Sequence, residues 1–153
     1  MRRYNIPEES VSLRDPAEEE LEKAIKLLKP IRQHRMLMAE RQAGREKRRL
    51  AELRTIEERA QTAYQQAREE LPGKRRDLAA EYQDNKIPLE SLDQWKGRET
   101  RLVEDVQDQY QEARVKKKEA DEQEQRLEKA RQEVMRQQRE AERMKFMEEE
   151  LNG

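Results

Sequence analysis

Asp84-Asn85-Lys86-Ile87-Pro88 separates two long stretches of seven-residue periodicity. Asparagine, lysine and proline at such a break read as a turn, and a turn this short forces the helices that it joins to lie antiparallel. The expected fold is therefore all-α, a long antiparallel two-helix coiled-coil hairpin. Its parts are a first long helix over 31–84, a turn at 85–88 and a second long helix over 89–151.

On the N-terminal side of the turn, a positions recur every seven residues from Met36 to Leu78 and d positions from Ala39 to Glu81, and ten of these fourteen are apolar. On the other side, a positions run from Leu92 to Glu148 and d positions from Trp95 to Leu151, with twelve of eighteen apolar. Apolar residues at that spacing form a seam that a partner helix must cover. The two seams match when the numbers of facing residues sum to 173, which centres the turn at 86 and 87. Charged seam positions then meet opposite charges: Glu57 faces Lys116, and Lys74 faces Glu99. Leu78 with Trp95, Leu71 with Leu102 and Ala67 with Val106 form apolar layers in the same register. Polar residues at single seam positions commonly specify register, and that is the role expected of the two charged pairs. At about 1.5 Å per residue the helices would span roughly 80 and 95 Å, so a rod is expected. Alanine fills much of the seam, so each layer buries little area and the hairpin invites a partner.

Further toward the N-terminus, residues 1–15 read as a flexible tail, with Asn5-Ile6-Pro7 and the Ser10/Ser12 pair lacking an apolar stripe. Asp15-Pro16-Ala17-Glu18 then places a capping acid, a proline at the first helical position and a glutamate three residues after the cap, a helix-start signature. Lys29-Pro30 removes a backbone donor and disfavours helical geometry before the proline. A short N-terminal helical extension over 16–29, separate from or kinked against the long helix, is expected. Leu71-Pro72-Gly73 leaves the seven-residue register unshifted, which predicts a bend at 71–74 within the first long helix, with a short break as the competing reading.

Composition supports this class and excludes others. Charged residues are 45% of the chain and apolar ones 33%, and Val, Ile, Leu and Phe together number 25 of 153, below the roughly 20% at which a compact globular core becomes doubtful. Lys and Arg total 34 against 35 Asp and Glu; such balance argues against disorder and against a global attraction to nucleic acid. No apolar run approaches the about 18 residues of a membrane span, and the first fifteen residues hold no apolar leader core, so a cytoplasmic location without membrane insertion is expected. Cysteine is absent, which removes disulfides, thiol catalysis and thiolate zinc sites.

Nothing in the sequence assembles catalytic chemistry. His34 is the one histidine and has no nucleophile near it in the helical pattern, so it reads as an exposed helix residue. Glu18-Glu19-Glu20 and Glu148-Glu149-Glu150 point their carboxylates in different directions along a helix, as solvated faces do. The glycines stand alone and form no phosphate loop. No catalytic residue, metal ligand or cofactor site is therefore expected.

The segment Lys29–Arg59 carries a local excess of five positive charges. It lacks the aromatic side chains that stack on bases, and acids interrupt it, so an acidic protein surface matches it better than nucleic acid. Plain solvation of a helix face stays open beside that reading. Trp95 reads as a seam residue packing on Leu78, with an anchor for a partner as the alternative. Ile87-Pro88-Leu89 places apolar residues at the tip, where no core is at hand.

Three features resemble a known family: Lys29-Pro30-Ile31-Arg32-Gln33-His34-Arg35 leading to Ala39-Glu40-Arg41, the Leu92-Asp93-Gln94-Trp95 opening of the second helix, and a Glu/Gln/Arg-rich C-terminal helix with an acidic end. Over about residues 29–153 the chain resembles the stalk proteins of bacterial type III secretion, the YscO-type family related to the flagellar FliJ protein. The resemblance implies a non-enzymatic virulence-associated protein, cytoplasmic and peripheral to the inner-membrane secretion apparatus. Its coiled coil would insert into the hexameric secretion ATPase, contact the cytoplasmic domain of the export gate and handle secretion chaperones. By position, Arg32, Arg35, Arg41, Arg45 and Arg48, with the helix-two end around Arg136 to Met147, would meet the ATPase. Lys86, Ile87, Leu89 and Trp95 would meet the gate. Segment 1–28 has no counterpart in the family pattern, and Pro72-Gly73 interrupts a helix that the pattern expects to be continuous. The alternatives are a generic coiled-coil scaffold or adaptor and, less favoured by the charge pattern, a helical nucleic-acid-binding protein.

Overall fold

The computed structural model describes residues 15–83 and 89–153. The expected tail and turn lie outside them, apart from Asp15. All described residues but Asp15 and Gly153 are helical, in α1 (Pro16–Gln83) and α2 (Leu89–Asn152). The two long helices pack against each other as an all-α helical hairpin, and the described residues contain no strand.

The start of α1 follows the capping signature. Asp15 Oδ1 accepts a hydrogen bond from the Ala17 amide at 3.1 Å, and the Asp15 carbonyl accepts from the Glu18 and Glu19 amides at 2.9 and 3.2 Å. Asp15 thus satisfies donors that a helix start otherwise leaves orphaned.

The helix expected separately over 16–29 is part of α1, which runs through Pro30 without interruption and through Pro72-Gly73 without a break. The physical reason lies in the repeat. Pro30 and Pro72 both follow an a position, six heptads apart, and both are exposed. A proline inside a helix costs about 3 kcal/mol, mostly through a lost hydrogen bond and a clash with the carbonyl four residues back. On the outward side that carbonyl can tilt toward water, and the seam is left intact. The seam therefore extends toward the N-terminus past Pro30, through half-buried Arg32, buried Ile25 and half-buried Glu22, in the same seven-residue steps.

The chain divides into two compact units. The first takes its described residues from Met1–Glu46 and Leu127–Gly153, and the second is Lys47–Arg126. In the first, Ile25, Ala39, Leu127, Met144 and Gln137 are buried. In the second, Leu53, Leu78, Ala113, Ala120 and Gln123 are buried. All ten except Ile25 occupy a or d positions assigned from the sequence, and Ile25 falls on the extended seam. A buried leucine contributes about 2 kcal/mol, whereas an alanine methyl contributes about 0.8, so the few large residues hold most of each seam.

The register also agrees. In the second unit the rings of Tyr64 and Tyr110 lie 5.1 Å apart, with numbers that sum to 174. Ala67, Leu71, Leu102 and Val106 line one groove there, as facing layers should. In the first unit Arg32 pairs with Glu140, with numbers that sum to 172.

The charged pairs proposed to set that register do not form as ion pairs. Glu57 pairs with Arg54 at 2.7 Å, and Lys116 with its own-helix neighbours Glu112 and Glu119 at 3.6 and 3.7 Å. Lys74 pairs with Glu70 at 3.7 Å, while Glu99 accepts from Arg75 Nε at 3.0 Å. Each of these charges is held by a neighbour instead, three or four residues away on its own helix or, for Glu99, by the flanking Arg75. A long arginine at a flanking position reaches a seam carboxylate with its guanidinium still wet.

Candidate partner-binding surfaces

Arginines beside the seam cross-link the helices. Arg54 Nη1 donates to Glu57 Oε2 at 2.7 Å and to Asp121 Oδ1 at 3.1 Å, and Nη2 donates to Glu124 Oε2 at 2.7 Å. Those bonds, Glu57 first and Asp121 next, hold the guanidinium pKa above its ordinary value. Arg98 donates to Glu81 at 2.8 Å in the same unit. In the first unit Lys29 pairs with Glu148 at 3.2 Å and Arg32 with Glu140 at 3.8 Å. These side chains are spent on the hairpin itself.

That sorts the five arginines expected to meet a partner. Arg32 is half-buried and belongs to the inter-helix contact. Arg35, Arg41 and Arg45 are exposed in the first unit, and Arg48 is exposed in the second. Arg35, Arg41 and Arg48 have no ion-pair partner among the described residues, and Arg45 bonds only the neutral amide of Gln42 there. Of the turn-end set, Lys86 and Ile87 lie outside the described residues, Leu89 is 84% exposed, and Trp95 is half-buried at its seam position.

Two grooves flank the first unit's seam. One, of about 520 Å³, has Met36, Ala141, Met144 and the paired Lys29 and Glu148 among its lining residues. Alanine at an a position leaves this layer under-filled. The other, of about 470 Å³, is lined by His34, Arg35, Met38, Ala39, Gln42 and Arg45 of α1 and by Glu133 and Gln137 of α2. Gln137 is 6% exposed, and its Nε2 donates to Glu133 Oε1 at 2.8 Å while its own Oε1 has no hydrogen-bond partner. Arg136 grips both oxygens of Glu133 at 2.8 and 2.9 Å. That grip, with the Gln137 bond second, holds the Glu133 carboxyl at a pKa of about 2.

The sequence reading placed the cations but missed both the Arg54 clamp and the second groove. The clamp was findable, because charges beside a seam set pairing between helices. The groove was signalled by glutamine at the d position 137, a polar group in a row that should be dry.

Among the described residues no group of three or more His, Asp or Glu side chains is placed to hold a metal ion, and no helix is long and apolar enough to cross a membrane. Comparison with known protein families, curated proteins and solved structures finds no match for this chain.

Proposed function

We propose that the chain is the non-enzymatic coiled-coil stalk of a bacterial type III secretion system, cytoplasmic and peripheral to the inner-membrane apparatus, coupling the hexameric secretion ATPase to the export gate. The observation that supports this reading most is the split among the arginines of α1. Arg32 is engaged in the hairpin, while Arg35, Arg41 and Arg48 stand exposed without an anion among the described residues. Unpaired surface cations steer and orient an acidic partner, and they do so with a strong dependence on salt. The stalk would present these cations to the ATPase and the end near Leu89 to the gate, with chaperone handling as a further task.

The test is a pull-down with a type III secretion ATPase, scored by stimulation of its turnover. Wild-type chain should bind and stimulate, and the Arg41→Glu/Arg48→Glu variant should lose about tenfold in affinity. Absence of binding and stimulation would remove the stalk reading and leave the coiled-coil scaffold in its place.

A further inference from the structure

The first unit carries more apolar surface than a two-helix seam uses. A two-stranded coil needs only its narrow a/d stripe, and a wider stripe belongs to a helix with a second packing partner. Before residue 40, α1 has the wider kind. Leu28, Ile31 and Met38 follow one another along the flank beside buried Ile25 and Ala39, and they are 41, 45 and 41% exposed. Their spacings of three and seven residues keep them on one face. Leu21, one heptad before Leu28, continues that row and is 42% exposed.

This row runs into the groove of Arg35, Met38, Arg45 and Gln137. Three properties of the groove describe its occupant. The apolar row calls for an amphipathic helix laid along the flank, anchored at three- and four-residue spacing. Arg35 and Arg45 call for carboxylates beside those anchors, since the one carboxylate in the lining, Glu133, is already neutralised by Arg136. The orphaned Gln137 Oε1 calls for a hydrogen-bond donor. A buried acceptor left unpaired costs free energy, and a donor brought by the occupant would recover it.

We infer that the Leu28–Ile31–Met38 flank and its groove are a docking site for one acidic amphipathic helix of a partner protein, which completes a local three-helix bundle. The helix lays apolar anchors against Leu28, Ile31 and Met38, sets carboxylates beside Arg35 and Arg45, and donates a hydrogen bond to Gln137. The site goes beyond the stalk reading and does not depend on it.

The experiment measures binding of fluorescein-labelled synthetic helical peptides to the full chain by anisotropy. The first peptide, of about 21 residues, carries leucine at heptad spacing, glutamate at the flanking positions and a central glutamine. The second has lysine for every glutamate, and the third has the first peptide's composition in scrambled order. Only the first should bind. Its affinity should fall about tenfold in Arg35→Glu/Arg45→Glu and again in Ile31→Ser/Met38→Ser. Those four side chains are exposed, so circular dichroism should show both variants folded. Gln137→Met should also bind the first peptide more weakly while the hairpin itself becomes more stable, which a purely structural glutamine would not produce.

Equal binding of the acidic and scrambled peptides would overturn the proposal, as would indifference to the Ile31/Met38 change. A solution mass of two chains that reverts to one in Ile31→Ser/Met38→Ser would assign the flank to a second copy instead. Tighter peptide binding after deletion of residues 1–14 would assign it to the chain's own N-terminal segment. Either result also sinks the partner-helix proposal.

Discussion

Gln137 is where one side chain decides most. Its amide nitrogen serves Glu133, and its oxygen is buried without a partner. Removing an unsatisfied buried acceptor recovers its desolvation cost, so Gln137→Leu should raise the unfolding free energy by about 1 kcal/mol, read from urea titration at constant m-value. The same substitution takes away one of the three hydrogen bonds that hold the Glu133 carboxyl at about 2 instead of its ordinary 4.5. A depressed carboxylate contributes stability that is present in full above pH 4.5 and lost as the pH falls through about 2, because between those values the folded chain binds fewer protons than the unfolded one. Carbon-13 NMR of the Glu133 carboxyl should find its midpoint moved up toward 4.5 in Gln137→Leu, and further up in Arg136→Gln, where the leading cause is removed.

At the scale of the helix, prolines are the informative residues. Pro30 and Pro72 keep their exposed outward places while Ile25, Ala39 and Leu78 around them stay buried. Restoring a backbone donor at an outward position should not disturb the seam. Pro72→Ala should therefore stabilise the hairpin by about 1 to 3 kcal/mol, and Gly97→Ala, where a new Cβ meets nothing within 4 Å, by about 1 kcal/mol. Thermal melts of the two variants check both values. The periodic signal made this scale legible from the sequence alone: heptad spacing located the seam, its register and the helix type for nearly every a and d position. It failed at Pro30, because local propensity argued for a stop there and only the seam could override it. It failed again at Glu57, Lys116, Lys74 and Glu99, because opposite charges at facing positions look complementary until the nearer neighbours of each charge are counted. The flanking arginines that answer those carboxylates are long enough to choose among several partners, and sequence spacing does not rank them.

For the whole molecule, near-equal charge totals of 34 and 35 conceal an uneven use of them. Arg54 and Arg75 close the second unit's hairpin, and Lys29 and Arg32 the first's, whereas Arg35, Arg41 and Arg48 remain for solvent or a partner. That division is invisible in a net charge and visible only once both helices are in register. It also explains why the candidate surfaces were half legible. The cations could be named from composition, but which of them the hairpin consumes depended on the opposite helix. Because facing numbers sum to near 173 within each unit, chain length can be edited only in sevens and only in matched pairs. Deleting 57–63 together with 110–116 should give a shorter hairpin that still melts cooperatively. Deleting three residues from α1 alone would swing every later seam residue off the interface, and the transition should broaden or vanish. The paired seams are in that sense gauged like a rule, adjustable by whole divisions and intolerant of fractions.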